Sequence, residues 1–271
     1  MQNASRTYPT DLSDAPWLLL QPCLPAPSTR GRPRAVDLRH LRNGIFYLLQ
    51  AGCAWRLLPK EYGPWSTVYG YFRRWSRAGL WEQINLALRA QVRQPAQRDP
   101  QPSAAILDRQ TSKTSEPACR RGIAAGKKIE GVKRPVLVAT LGLLLGVLVT
   151  PASTQDRDGA RLLLERSLGF CHRLQKVWAD SGYYAQARLE WGASLFPQRP
   201  LVLEILRRLE GVGGFGVRPK RWIVERTRAW LVKRRRLARH YEQRPDHSEG
   251  FIYLAMISLM LKRLTKTPRR V

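Results

Sequence analysis

Acidic residues are scarce in this chain. Its 271 residues hold 20 Asp and Glu against 47 Lys and Arg, a formal net charge of +27. Such a surplus repels itself unless a polyanion is at hand. That makes nucleic acid the first partner class and an anionic membrane surface the second. Cysteine is also sparse: Cys23, Cys53, Cys119 and Cys171 lie far apart, with no C-x-x-C pair. A zinc ribbon, a redox dithiol and a dense disulfide scaffold are therefore unsupported, and reduced thiols in a cytoplasmic compartment fit best. The four histidines, His40, His172, His240 and His247, are too scattered to form a ligand set. Met1 to Ser13 lacks the basic and apolar regions of a secretory signal. No apolar run is long enough to span a bilayer. The longest, Pro135 to Val149, is interrupted by Gly142 and Gly146, and a spanning helix needs about 20 apolar residues. Two buried strands joined by a turn near Gly142 are expected instead, with no membrane association.

What is present is a 44% hydrophobic content, enough for a folded core. Residues 11 to about 92 read as helical. Ser13 can cap a short helix ending near Cys23. Asp37 can cap a second, with Leu38, Leu41, Ile45, Leu48 and Leu49 at helical spacing and Gly52 as its stop. Ser66 can cap a third, with Val68, Tyr71, Phe72 and Trp75 on one side and Arg73, Arg74 and Arg77 largely on the other. A fourth covers about 80–93. Two helices joined by a turn, the second bearing arginines, fit either a DNA-docking helix-turn-helix or a solvated basic face on a small bundle.

Residues 94–104 are polar and Pro-rich and read as a linker between an N-terminal domain, 1–93, and a C-terminal domain, 105–271. Beyond it, strands and helices alternate, which predicts an α/β domain. Strands are expected at 104–108 and 174–180, and a Gly/Lys-rich loop over 116–134. Helices are expected at 159–168 (capped by Asp158), 184–192, 201–209 and, as one long basic element, 219–241. Residues 248–264 are apolar nearly all round, as in a buried helix. The nine Trp read as core rather than as platforms for bases.

In so basic a chain the acids are informative. Asp108 ends the apolar run Ala104-Ala-Ile-Leu, and Asp180 ends Lys176-Val-Trp-Ala. A carboxylate beyond a buried strand faces the crevice where α/β proteins place their chemistry, although Asp is also a common turn former and cap. Glu225 is the only acid from Arg218 to His240, among ten Lys and Arg. It lies on the stripe Trp222, Glu225, Ala229, Val232, with Arg221 one turn before it; an i,i+4 ion pair is the bland alternative. Together the three acids suit Mg²⁺, which takes carboxylate and phosphate oxygens. Two such ions about 4 Å apart can drive in-line phosphodiester cleavage.

The same residues carry a family resemblance covering nearly the whole chain. Gly52-Cys-Ala-Trp-Arg-Leu-Leu-Pro59, Pro64-Trp-Ser-Thr-Val-Tyr69, Leu107-Asp-Arg-Gln110, Gly126-Lys-Lys-Ile129, Gln155-Asp-Arg-Asp-Gly-Ala160, Trp178-Ala-Asp180 and Arg221-Trp-Ile-Val-Glu-Arg-Thr-Arg-Ala-Trp230 stand in order. The chain resembles the DDE transposases of bacterial insertion sequences, IS-four/IS-five superfamily, closest to the IS-five type.

The resemblance implies an RNase H-like catalytic domain preceded by an all-α, helix-turn-helix-like domain. It implies a catalytic and metal-binding triad of Asp108, Asp180 and Glu225, two Mg²⁺ ions (Mn²⁺ substituting), and cleavage at the element's terminal inverted repeats followed by strand transfer into target DNA. Arg221 and Lys233 flank the catalytic Glu as DNA contacts, joined by Lys127, Lys128 and the helical arginines 73, 74 and 77. The protein would work as a homodimer on double-stranded DNA in the bacterial cytoplasm, associated with the nucleoid. Three positions depart from the family pattern: Arg109, Pro135 and Ala139 stand where a small residue, His and Asp are common. A structure-specific nuclease on the same fold and a catalytically decayed DNA-binding protein are the alternatives. Asp156 and Asp158 fall in a shared motif, and helix capping accounts for them.

Overall fold

A computed structural model describes residues 8–26, 36–115, 122–124, 129–180, 201–206 and 220–266. Among the described residues the N-terminal part holds four α-helices: α1 (Asp14–Leu20), α2 (Leu38–Ala51), α3 (Trp65–Arg77) and α4 (Leu80–Arg93). Asp37 caps α2, accepting from the backbone N–H groups of Arg39 and His40, and Gly52 ends it in a left-handed conformation, φ +74°. The third helix starts one residue before the expected cap, with Pro64 rather than Ser66 at its entry. The connection 52–64 between α2 and α3 contains two 3-10 turns. It is longer than the turn of about 3–4 residues in a compact helix-turn-helix, so these two helices do not form one.

The C-terminal part is a mixed sheet flanked by helices. Among the described residues its strands are β1 (Ala104–Lys113), β2 (Gly122–Ala124), β3 (Ile129–Ala139), β4 (Leu144–Val147), β5 (Thr150–Pro151), β6 (Lys176–Asp180) and β7 (Val202–Leu206). The order is β2-β3-β1-β6-β7, with β4 and β5 also on β3. β1 is antiparallel to β3 and parallel to β6, which is parallel to β7. Helix α5 (Asp156–Leu168) lies between β5 and β6, and α6 (Arg221–Val232) and α7 (Pro245–Leu264) close the chain.

Strand alternation divides the core in two. Ala105, Leu107, Leu137, Ala139, Val177 and Ala179 pack with Ala160, Leu163 and Leu164 of α5. Ile106, Val136, Val138 and Trp178 face the other way, into one apolar cluster shared with α6, α7 and the N-terminal helices. The predicted buried C-terminal helix is α7, with Phe251, Leu254, Met256, Ile257 and Met260 fully enclosed. A polar network also crosses the parts. Arg166 of α5 donates to Glu249 of α7 and to Glu82 of α4, Glu249 accepts from the backbone N–H of Val149, and the Tyr253 hydroxyl donates to Glu82.

Several expectations fail. Residues 202–206 form a strand beside β6 rather than part of a helix over 201–209. The β-branched Val202 and Ile205, with Leu203 and Leu206, suit the open edge that β6 presents. The long basic helix stops at Val232, because the following chain is captured by the sheet. The N–H of His240 donates to the carbonyl of Lys113, and the N–H of Ser115 donates to the carbonyl of His240. Arg236 turns inward to Glu242 at 2.7 Å. The supposed loop 116–134 contains β2 and the first half of β3. Helix α5 begins at Asp156 with Gln155 as its N-cap, so Asp158 does not cap it. The hairpin near Gly142 is as expected, φ +79° at that glycine. The helix expected at 184–192 lies outside the described residues.

Candidate active site

Asp108 is not at a strand end. β1 continues to Lys113 alongside β3. Its pairing with β6, however, stops at Leu107 and Ala179. Asp108 and Asp180 are each the next residue, where two parallel strands part. Parity gives them the direction of Ile106 and Trp178, towards the layer containing α6. There α6 is held against the β3–β4 turn: the Thr227 hydroxyl donates to the carbonyl of Gly142 at 2.9 Å.

Two arginines of α6 contact the three acids: Arg221 joins two of them, and Arg228 pairs with the third. Arg221 sits 2.9 Å from Asp180 and 3.1 Å from Glu225, so one guanidinium joins the sheet acid to the helix acid. Arg228 Nη2 lies 2.5 Å from Asp108 Oδ2. Asp108 is buried, its side chain 8% exposed, and the N–H of Arg109 donates to its Oδ1 at 2.7 Å. Burial raises its pKa above the ordinary carboxylate value; Arg228, the Arg109 N–H and Arg221 pull it back, and Asp180 pushes it up. The ion-pair alternative for Glu225 and Arg221 is thus realised, and the same contact ties Glu225 to Asp180. Beside the stripe of Trp222, Glu225, Ala229 and Val232, Arg221 and Arg228 flank Glu225 at helical spacing and carry the helix's contacts to the sheet acids.

Among the described residues, no three of His, Cys, Asp and Glu are already gathered as a metal-ligand group. The donor chemistry nevertheless fits a hard divalent ion. Asp108 Oδ2 is buried and has no hydrogen bond, only the ion contact with Arg228. Carboxylates from two strands and a helix are the hard oxygen donors such an ion takes, and Arg221 holds two of them, Asp180 and Glu225, on one guanidinium.

The remaining predicted residues are more dispersed. Arg73, Arg74 and Arg77 are exposed on α3, opposite the buried Val68, Phe72 and Trp75. Lys233 is exposed at the C-cap of α6. Lys127 and Lys128 lie outside the described residues. Arg228 escaped the sequence reading, although its position seven residues after Arg221 and three after Glu225 was a signal. Asp156, expected to cap a helix, instead pairs with Arg109 and with Lys133 at 3.0 Å, in the first turn of α5. Ala139 is fully buried on the α5 face, away from the acids.

Two family models match the chain. One, described as "Putative transposase of IS4/5 family", covers residues 12–85. The other, described as "Transposase DDE domain", covers residues 99–261, more than half of the chain. A curated relative from Burkholderia cepacia, "Insertion element IS402 uncharacterized 16.2 kDa protein", is 34% identical over 94 residues, 32% of this chain. The match spans 64% of that relative's own length. No described helix is long and apolar enough to cross a membrane. The chain belongs to the DDE transposases of the IS4/IS5 family.

Proposed function

We propose that the protein cuts and joins DNA at the ends of its own insertion sequence, with Asp108, Asp180 and Glu225 as the catalytic, metal-holding acids. The observation that carries this reading is the shared guanidinium: Arg221 contacts both Asp180 and Glu225, one strand away from Asp108. The sheet order, with an antiparallel β3-β1 edge and parallel β1-β6-β7, supports an RNase H-like assignment. Divisions at 1–93, 94–104 and 105–271 go with it, the first part acting in DNA binding.

Two Mg²⁺ ions bound by these carboxylates, or Mn²⁺ in their place, would supply Lewis acidity at the scissile phosphate. The chain does the rest. Burial of Asp108 keeps one ligand in a low-dielectric position, where an ion contact is strong. Arg221 fixes Glu225 relative to Asp180 and offers a cation to the phosphate. Lys233 and the arginines 73, 74 and 77 add phosphate contacts that hold the duplex in register without reading its sequence. In the first step water attacks phosphorus and the 3′-oxygen of the element leaves. In the second the freed 3′-hydroxyl attacks a target phosphodiester, so one bond forms for each broken. Holding both ends for these steps calls for a homodimer on DNA.

Incubating a duplex that ends in the element's inverted repeat with a target plasmid tests the reading. Covalently joined product is expected; cleavage without joining would leave a nuclease, and binding alone a decayed copy. The buried Ala139 does not favour decay, because it lies on the opposite face from the acids.

A further inference from the structure

A groove of about 740 Å³ lies between the N-terminal stretch, α2, the end of α6 and the second half of α7. Its floor is apolar, with Phe46, Leu49 and Trp230 among the lining residues, and Lys233, Arg234, Lys262 and Lys266 also line it. Among the described residues, none of these four cations has an ion pair. Arg234 donates to the side-chain oxygens of Gln50 and Ser258, both neutral. The Lys262 ammonium is held below its ordinary pKa by burial first and then by Arg234 and Lys266. The acid in the lining, Asp11, accepts from the Tyr62 hydroxyl at 2.7 Å and from the N–H of Tyr8 at 3.0 Å.

Like charges gathered around a groove raise the free energy of the protein alone, and a polyanion relieves it. The groove is also joined to the acids. Lys233 follows Glu225 by eight residues on α6, which is about 12 Å along a helix axis. Duplex DNA covers that span in three to four base steps of about 3.4 Å. A second copy of this chain fits poorly, because it has few acids to offer.

We infer that this groove is a second DNA-contact site, taking the phosphodiester backbone a few nucleotides from the phosphate held at Asp108, Asp180 and Glu225. The inference rests on the proposed action on DNA and locates where the flanking duplex runs. Lys262 and Lys266 are its new contacts; both are exposed, so neutralising them leaves the core intact.

The test is binding of a fluorescent duplex by the full-length protein across a range of salt. Lys262→Gln/Lys266→Gln is compared with a charge-matched control, Arg157→Gln/Arg161→Gln, on exposed positions of α5 across the sheet. Losing two phosphate contacts makes the slope of log K against log salt shallower by about 2, with roughly tenfold weaker binding at low salt. The control shifts neither by more than about twofold. A groove variant indistinguishable from the control overturns the site while leaving DNA action standing. Wild-type protein that binds no duplex overturns both.

Discussion

Arg228 Nη2 sits 2.5 Å from Asp108 Oδ2, on the helix that carries Glu225 three residues earlier. The contact is the main charge compensation for a carboxylate whose burial disfavours its ionised form. It explains how an acid can be kept in the interior of a sheet before any ion or phosphate reaches it.

Removing the arginine alone should therefore cost more than removing both partners. Arg228→Met strips a buried carboxylate of its main compensating charge, a loss of about 1–3 kcal/mol. Asp108→Asn in the same chain removes the charge and should recover much of that. Urea titrations of the two single variants and the double variant give the coupling. Equal destabilisation in Arg228→Met and in the double variant would refute the pair.

Arg221 acts through two acids at once. Arg221→Ala should release Glu225 from Asp180 and reduce strand cleavage by about a hundredfold, while a Lys in its place, a single cationic point on a flexible stem, recovers only part of it. Single-turnover cleavage rates measure this. Full rescue by Lys would mean that charge alone matters at this position and that the fork between the two acids does not.

Gly142 stands where a side chain is excluded twice over. Its φ is +79°, and an added Cβ would lie 2.9 Å from the Trp230 ring and 3.1 Å from the Thr227 hydroxyl. Gly142→Ala should destabilise the protein by about 2 kcal/mol from the left-handed backbone alone and push α6 off the hairpin, lowering cleavage with it. Thermal melting and cleavage assays together check this.

His240 gives the fold an acid-sensitive joint. Its backbone pairs with the end of β1. Burial, aided by Arg134, lowers its pKa from 6.5 to about 4. Between those values the unfolded chain takes up a proton that the folded chain refuses, so stability is complete above pH 6.5 and falls by about 3 kcal/mol as pH drops towards 4. His247, lowered to about 4 chiefly by burial, adds to the slope. His240→Gln should flatten part of it in melting curves recorded from pH 7 to 5; an unchanged slope would contradict this assignment.

The helical N-terminal part was legible because its signals are local: Asp37 caps, Gly52 stops, and Val68, Phe72 and Trp75 share one face. The three acids were legible because carboxylates are rare in this chain. What the sequence hid depends on tertiary pairing. Residues 202–206 become a strand only because β6 offers them an edge, and the helix after Glu225 ends early only because His240 is captured by β1. Asp108 looked like a strand end because the apolar run stops there, yet the strand continues, since β3 keeps pairing where β6 departs. Arg228 was hidden for the same reason, as its partner lies 120 residues back in the chain.

The most direct measurement is cleavage of a labelled duplex ending in the element's inverted repeat, with Mg²⁺ or with chelator, by wild-type protein and by Asp108→Asn, Asp180→Asn and Glu225→Gln. A cut at the repeat boundary is expected from wild type alone and only with the metal, while all four proteins still bind the duplex. Metal-dependent cleavage that persists in any of the three variants would contradict the catalytic role of these acids.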